Sequence, residues 1–271
     1  MVGEAEVTIP LRRGGHCYGL CAERGTKLAV VACHPWGPLG GSMWDVVVEE
    51  VIELFGQNAG LTTLRFNFRS GIGSGAASAD DIRGACAYLM QVARPPERIL
   101  LIGYSYGSLV VAGVAEDIRE VVAFACISPP LYYSWALFMC NQRALLQRAR
   151  QARAAKLLLI GARDNFCSVP QFREFADSLA HPKRVVVLDG AVDHFGVYRF
   201  VQEQLSVWAC AIFGVRRVSQ LASSSGELAI RAGADGEGAL GEPGVPGGAP
   251  PVGPPDASAR DDAGSAEPLI R

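Results

Sequence analysis

Short apolar runs alternate with amphipathic segments along most of this chain, and this alternation limits the folds open to it. Six runs have the length of a strand: KLAVVAC, LTTLRFNF, RILLIGYS, VVAFACIS, KLLLIGA and RVVVLDG. Continuous apolar runs of this kind are typical of strands buried on both faces, and strands that alternate with helices form βαβ units. The pattern predicts an α/β fold with a mostly parallel sheet and helices on both faces.

Further local signals extend this outline. The runs EAEVTI and HCYGLCAE flank the turn-like residues 13–15 and predict an antiparallel hairpin at the start of the chain. Ser42 precedes a helical segment, MWDVVVEEVIELFGQNAG, and Asp80 or Asp81 is a candidate cap of the next helix, DIRGACAYLMQVA. Helices are also predicted around residues 171–179 and over FGVYRFVQEQLSVWACAIF.

Composition divides the chain into two parts near Val218. From Gly233 to Arg271, nine Gly and seven Pro fill 39 positions, and no aromatic residue occurs. Such a segment buries too little apolar surface to offset the entropy of ordering it. We therefore predict a folded domain over residues 1–215 and a disordered tail over 216–271.

Charge and cysteine content restrict partners and compartment. The formal net charge of −2 argues against a nucleic-acid-binding surface. The eight cysteines form no CxxC pair and lie mostly in apolar runs, so buried free thiols are expected rather than a zinc site. The N-terminus lacks the apolar core of a signal peptide, and no run is long enough for a transmembrane helix. We expect an intracellular protein, with the cytoplasm first and the nucleus or an organelle as alternatives.

One stretch, LLIGYSYGSL, carries a candidate nucleophile. Its apolar half reads as a strand and Ser108 to Val114 as the start of a helix, so Ser105 would lie on the sharp turn between them. Gly103 and Gly107 flank Ser105 at two residues' distance, where side chains would collide with the neighbouring strand and helix. An ordinary tight turn is the alternative interpretation.

Two other strand ends supply partners for this serine. Asp164 follows the run KLLLIGA and His194 follows RVVVLDG. Serine, then acid, then histidine, each after a different strand, is the chain order of the α/β-hydrolase fold. Histidine can take the hydroxyl proton, and a carboxylate orients the imidazole and stabilises its charged form. Asp189 and Asp193 are the alternative acids, although Asp193 adjoins the base and is poorly placed to support it.

Backbone donors for an oxyanion are expected at two places. One is the N–H of Tyr106, directly after the nucleophile, and the other lies in the loop CHPWGPLGGSMW. Proline has no N–H, so Trp36 or Gly37 must donate, and Trp36 is favoured. In the same loop we expect His34 to organise the main chain rather than to act as a second base.

The motifs HPWGPLGG, LRFNFRSGIGSG, GYSYGS, GARDNF and DHFGVYR together resemble a group of small α/β-hydrolases of bacteria and plants. This group is similar in outline to dienelactone hydrolases and to the hydrolase-like domain of testis-expressed protein 30. The resemblance covers roughly residues 4–213 and implies the fold and the triad Ser105, Asp164 and His194. Dienelactone hydrolases use a cysteine where this chain has Ser105, so their substrate is not carried over.

The segment between Ser128 and Lys156 is where larger hydrolases insert a lid. It has the length of about one helix, which favours either one amphipathic helix packed on the sheet or a minimal cap. In the cap interpretation, an acyl pocket is lined by Tyr132, Tyr133, Trp135 and Phe138. The second half carries a predicted basic face of Arg143, Arg148, Arg150, Arg153 and Lys156.

These patterns predict a serine hydrolase that cleaves a small-molecule carboxylic ester or thioester, with no metal or organic cofactor. The alternatives are an acyltransferase on the same triad and a non-catalytic scaffold of the same fold. Residues 71–76, GIGSGA, match a dinucleotide-binding fingerprint. Glu97 lies near the required spacing but precedes its strand, so we expect no nucleotide cofactor.

Overall fold

An eight-stranded sheet runs through the protein. The computed structural model describes residues 3–69 and 75–223 of the 271. The strands are β1 (Ala5–Pro10), β2 (His16–Ala22), β3 (Leu28–Cys33), β4 (Thr62–Phe66), β5 (Arg98–Tyr104), β6 (Val121–Ile127), β7 (Ala155–Gly161) and β8 (Lys183–Leu188). Their order in the sheet is β1-β2-β4-β3-β5-β6-β7-β8.

Strand direction follows the prediction. β2 is antiparallel to both β1 and β4, whereas the pairs from β4 through β8 are parallel. The turn between β1 and β2 holds Gly14 and Gly15 at φ of 87° and 80°, a region that glycine adopts without steric cost. The predicted N-terminal hairpin and the mostly parallel sheet are therefore confirmed.

Helices cover both faces of this sheet. They are α1 (Val46–Ile52), α2 (Ala76–Leu89), α3 (Tyr106–Val114), α4 (Ser134–Phe138), α5 (Gln142–Gln151), α6 (Val169–Asp177) and α7 (Tyr198–Phe213). One core cluster joins α1 and α7 to the sheet, and a second joins α2, α3, α5 and α6 to its other face. In β3, Leu28 and Val30 enter the first cluster while Ala29 and Val31 enter the second, which explains why the whole strand is apolar.

The starts of two helices differ from the sequence prediction. Asp45, not Ser42, caps α1, because its Oδ1 accepts a hydrogen bond from the Val47 N–H at 2.9 Å. α1 continues as a π-helix over Glu53–Asn58. The prediction that Asp80 or Asp81 caps α2 is wrong, because α2 begins at Ala76 and both lie within it.

The buried Asp81 forms an ion pair instead of capping a helix. Its side chain is fully buried and accepts hydrogen bonds from the Arg69 main-chain N–H at 2.9 Å and from its guanidinium at 2.6 Å. It thereby holds the chain that leaves β4 against α2. Of the predicted fingerprint, residues 71–74 lie outside the described part of the chain.

The segment after β6 forms two helices, α4 and α5, instead of the single amphipathic helix that was one of the two expectations. Two short 3₁₀ turns, Leu131–Tyr133 and Met139–Asn141, precede α4 and α5 respectively. The prediction that Lys156 belongs to a basic helical face is wrong, because Lys156 lies in β7. Its buried ammonium donates to the Ala180 carbonyl at 2.6 Å.

Several general predictions can be compared with the described residues. Seven of the cysteines are free thiols: Cys210 is half-buried, and the buried ones are Cys17, Cys21, Cys33, Cys86, Cys126 and Cys167. None of the helices in residues 3–69 and 75–223 has both the length and the apolarity needed to cross a membrane. By its contacts the chain divides into residues 1–239 and 240–271, and every described residue belongs to the first unit. Leu221, beyond the predicted domain end at 215, is buried in the cluster with α7. The predicted disorder falls on 216–271, of which 224–271 lie outside the described residues.

Candidate active site

Ser105 lies on the turn that joins β5 to α3. Its φ of 51° and ψ of −119° place a non-glycine residue in a region that costs about 1–3 kcal/mol. The Ser105 N–H donates to the Ile127 carbonyl at 2.9 Å, and the Ser108 hydroxyl donates to the Ser105 carbonyl at 2.6 Å. These bonds hold the strained turn at the carboxyl end of the parallel sheet.

The flanking glycines permit this turn. A Cβ at Gly103 would lie 2.5 Å from the Gly107 carbonyl oxygen. A Cβ at Gly107 would lie 2.6 Å from the carbonyl oxygens of Cys33 and His34 at the end of β3. The steric reason predicted for glycine at both positions is therefore confirmed.

Asp164 and His194 meet beyond the ends of β7 and β8. The His194 Nδ1 lies 2.9 Å from Asp164 Oδ2, and both side chains are buried. The other oxygen, Oδ1, accepts from the Phe166 N–H at 2.8 Å, which fixes the carboxylate. Asp193 instead accepts from the Gly196 N–H at 2.6 Å, and Asp189 is exposed. Of the three candidate acids, Asp164 is the one paired with the histidine.

Tyr104 is a site residue that the sequence reasoning missed. Its hydroxyl donates to the His194 carbonyl at 3.0 Å, and its ring centroid lies 5.3 Å from that of the imidazole. Burial raises the pKa of Tyr104 well above its usual range, with Asp45 and Asp164 adding to the effect. The hydroxyl therefore stays protonated and remains a donor. Because Tyr104 directly precedes Ser105, it links the position of the histidine loop to that of the serine.

The two predicted oxyanion donors lie on adjoining loops. Tyr106 is the first residue of α3, so its N–H has no acceptor within the helix. Its side chain is occupied elsewhere, since its hydroxyl bonds Ser78 Oγ at 2.9 Å. Trp36 follows β3, and its carbonyl accepts from the N–H groups of Leu39 and Gly41, both at 3.1 Å. Within the described part of the chain, the Trp36 N–H has no acceptor.

His34 organises the loop that carries Trp36. Its Nε2 accepts from the Phe68 N–H at 2.9 Å, and its Nδ1 therefore donates to the Pro35 carbonyl. Burial lowers the pKa of His34 to about 4. A neutral imidazole with both nitrogens engaged joins the loops after β3 and β4 and leaves no nitrogen to act as a base.

Comparison with known proteins gives structural matches only. No protein-family model matches the chain, and no curated protein does either. A serine hydrolase homologue from Coxiella burnetii superposes with a TM-score of 0.61 at 24% identity, covering 76% of this chain and 97% of that one. An esterase from Pyrococcus furiosus matches with a TM-score of 0.61 at 20% identity, over 74% of this chain and 87% of its own.

The chain has the α/β-hydrolase fold. A serine hydrolase described as lacking a lid, from Xanthomonas campestris, matches with a TM-score of 0.60 at 20% identity, over 77% of this chain and 96% of that one. At these identities the likeness carries the fold alone. The finer resemblance to dienelactone hydrolases stays a prediction from the sequence.

Three of the four predicted pocket residues reach the surface. Tyr132, Tyr133 and Trp135 are exposed. Phe138 does not line an open pocket, because it is 1% exposed and its ring stacks on that of Tyr106 at 5.0 Å and 8°. It packs the end of α4 against the helix that follows the serine and is a core residue.

One groove in the described part of the chain lies away from these residues. It runs between α2, α5 and the β1–β2 turn. Two of its arginines are paired: Arg83 with Asp80 at 2.9 Å, and Arg148 with Asp117 at 2.8 Å. The lining of this groove includes none of Ser105, Asp164 and His194, so the groove does not mark the candidate site.

Proposed function

We propose that the chain is a serine hydrolase that cleaves a carboxylic ester or thioester through an acyl-enzyme. The observation that carries the proposal is Ser105 on a strained turn at the carboxyl end of β5, together with a buried Asp164–His194 pair beyond the ends of β7 and β8. Backbone strain persists only where the surrounding structure imposes it, and such strain is concentrated at functional sites. The esterases and serine hydrolases of the same fold support the assignment.

The first half-reaction forms the acyl-enzyme. Ser105 Oγ attacks the carbonyl carbon, and its proton passes to His194 Nε2, the ring nitrogen that Asp164 leaves open. The tetrahedral intermediate collapses as the bond to the leaving oxygen or sulfur breaks. The same proton passes from Nε2 to the leaving group, which departs as an alcohol or thiol.

The second half-reaction reverses these roles with water. His194 takes a proton from water, the resulting hydroxide adds to the acyl carbon, and the ester bond to Ser105 breaks. The proton returns to Ser105 Oγ, and a carboxylic acid leaves. In both halves the N–H groups of Tyr106 and Trp36 stabilise the negative charge on the carbonyl oxygen. Asp164 holds the imidazole and offsets its positive charge.

A fluorophosphonate probe tests the proposal directly, because it phosphonylates only an activated serine. We expect one adduct, located on Ser105 by mass spectrometry, that is absent from Ser105→Ala and from His194→Ala. Ser128→Ala is the matched control, because Ser128 is also buried, also has positive φ (46°) and also follows a sheet strand. An adduct on another residue, or none on folded protein, would favour the non-catalytic alternative.

The identity of the acid is tested by two equivalent substitutions. Asp164→Asn replaces the carboxylate that pairs with His194, and a loss of about 10⁴-fold in kcat is expected for an ester substrate. Asp189→Asn makes the same chemical change at an exposed carboxylate and should leave kcat unchanged. The opposite order of effects would assign the acid to Asp189.

A further inference from the structure

Four aromatic side chains from three loops form one cluster beside His194. Tyr132 and Tyr133 follow β6, Phe166 follows β7 and Phe195 follows β8; we call these four the aromatic cluster. The ring centroids of Tyr132 and Tyr133 lie 5.0 Å apart, those of Tyr133 and Phe166 5.6 Å, and those of Phe166 and Phe195 6.0 Å. The Tyr132 N–H also donates to the Phe166 carbonyl at 3.1 Å, which ties the first two loops together.

This cluster is open to solvent although its side chains are apolar. Tyr132 is 63% exposed and Phe195 is 61% exposed. Contiguous exposed apolar surface at the carboxyl ends of parallel strands is where α/β proteins bind ligands. The rings meet at 61° to 90°, so their edges and faces are both presented to an incoming group.

The cluster touches the proposed base directly. The Phe166 ring centroid lies 4.3 Å from that of the His194 imidazole, and the Phe195 centroid lies 5.4 Å from it. Asp164 occupies Nδ1, so Nε2 is the nitrogen that protonates the leaving group. The leaving oxygen must come within hydrogen-bonding distance of Nε2, which brings the group attached to it next to the imidazole that these two rings contact.

We propose that the aromatic cluster is the leaving-group site and that it selects esters of aromatic alcohols; this inference rests on the proposed serine hydrolase. An aromatic ring gains from edge-to-face and offset-stacked contacts with Phe166 and Phe195, beyond the apolar area that it buries. A saturated ring of the same size buries similar area without those contacts. The preference is therefore for aromaticity rather than for size.

The test compares benzyl acetate with cyclohexylmethyl acetate on the full chain. Both esters form the same acetyl-enzyme, and both leaving alcohols are primary, weakly acidic and of similar size. A difference in kcat/KM must therefore arise in acylation. We expect kcat/KM to be about three- to tenfold higher for the benzyl ester, the range set by the usual strength of aromatic pairs.

Two cluster variants and one control locate the preference. Phe195→Leu and Phe166→Leu should each bring the benzyl-to-cyclohexylmethyl ratio close to one. Phe195 is exposed, so its replacement leaves the core intact. Tyr18→Leu removes an exposed aromatic on β2, at the other end of the sheet, and should keep the wild-type ratio.

The outcomes separate this inference from the proposed function. Suppose that fluorophosphonate labels Ser105 but the wild-type benzyl-to-cyclohexylmethyl ratio of kcat/KM is below two. This result would overturn the leaving-group site without contradicting the proposed serine hydrolase. A high ratio that both Phe variants retain would also overturn it, as would a labelled Ser105 that turns over neither ester. No labelling of Ser105 would remove the proposed function and this inference together.

Discussion

Replacing Tyr104 by Phe removes one hydroxyl from beneath the histidine loop and changes little else. Tyr104 is 4% exposed, and a Phe ring can keep its contacts with the core and with the imidazole. The substitution removes the 3.0 Å hydrogen bond to the carbonyl of His194, a buried residue. A buried acceptor left without its donor costs about 1–3 kcal/mol, more than the net value of an ordinary hydrogen bond.

Urea unfolding measures this loss directly. We expect Tyr104→Phe to lower the free energy of unfolding by about 1–3 kcal/mol with an unchanged m-value, since the unfolded surface is the same. Tyr18→Phe is the matched control, because the Tyr18 hydroxyl bonds the exposed His16 side chain, and the effect should stay within about 0.5 kcal/mol. Ester hydrolysis by Tyr104→Phe should also fall, because the histidine loop loses an anchor. Equal midpoints for Tyr104→Phe and the wild type would refute the anchoring role.

Three further predictions concern stability and specificity. Among the described residues, burial raises the pKa of six buried thiols and of the half-buried Cys210, so above about pH 8.5 the unfolded chain releases protons that the folded chain retains, and stability is lost as pH rises. The six buried thiols belong to Cys17, Cys21, Cys33, Cys86, Cys126 and Cys167. Urea titrations under reducing conditions should show about 3–5 kcal/mol less stability at pH 9 than at pH 7, and equal values would contradict this. Activity on p-nitrophenyl esters should peak between acetate and hexanoate, and Trp135→Ala should flatten that profile, whereas a preference for palmitate would exclude a minimal cap. Deleting residues 224–271 should leave the unfolding midpoint unchanged, whereas deleting 216–271 removes the buried Leu221 and should cost about 2–5 kcal/mol; equal midpoints would show that Leu221 adds nothing.

The succession of strands along the chain and the candidate residues that follow them could be predicted because both are encoded locally. Apolar runs of strand length predict strands over the same residues, and the glycines around Ser105 predict a tight turn there. Parallel strands must place their carboxyl ends at one edge of the sheet. From this it follows that Ser105, Asp164 and His194 approach one another. The Asp164–His194 contact agrees with that expectation.

Errors arose where a residue's role depends on distant neighbours. Asp81 looked like a helix cap, but it lies within α2, where its buried carboxylate accepts hydrogen bonds from Arg69 of the loop after β4. Phe138 looked like a pocket residue, but the end of α4 brings it under Tyr106. Lys156 continued a run of basic residues, yet it lies in a buried strand and donates to the Ala180 carbonyl.

The sequence alone therefore determined the α/β fold, the hairpin, and the serine turn with its two glycines, because each depends on periodicity or on the steric limits of a few consecutive residues. Only the tertiary structure decided which carboxylate pairs with His194, that Tyr104 anchors its loop, and that Phe166 and Phe195 flank it. Those contacts join residues from the ends of different strands. Their distances depend on how the sheet twists and how its loops pack, which no local pattern records.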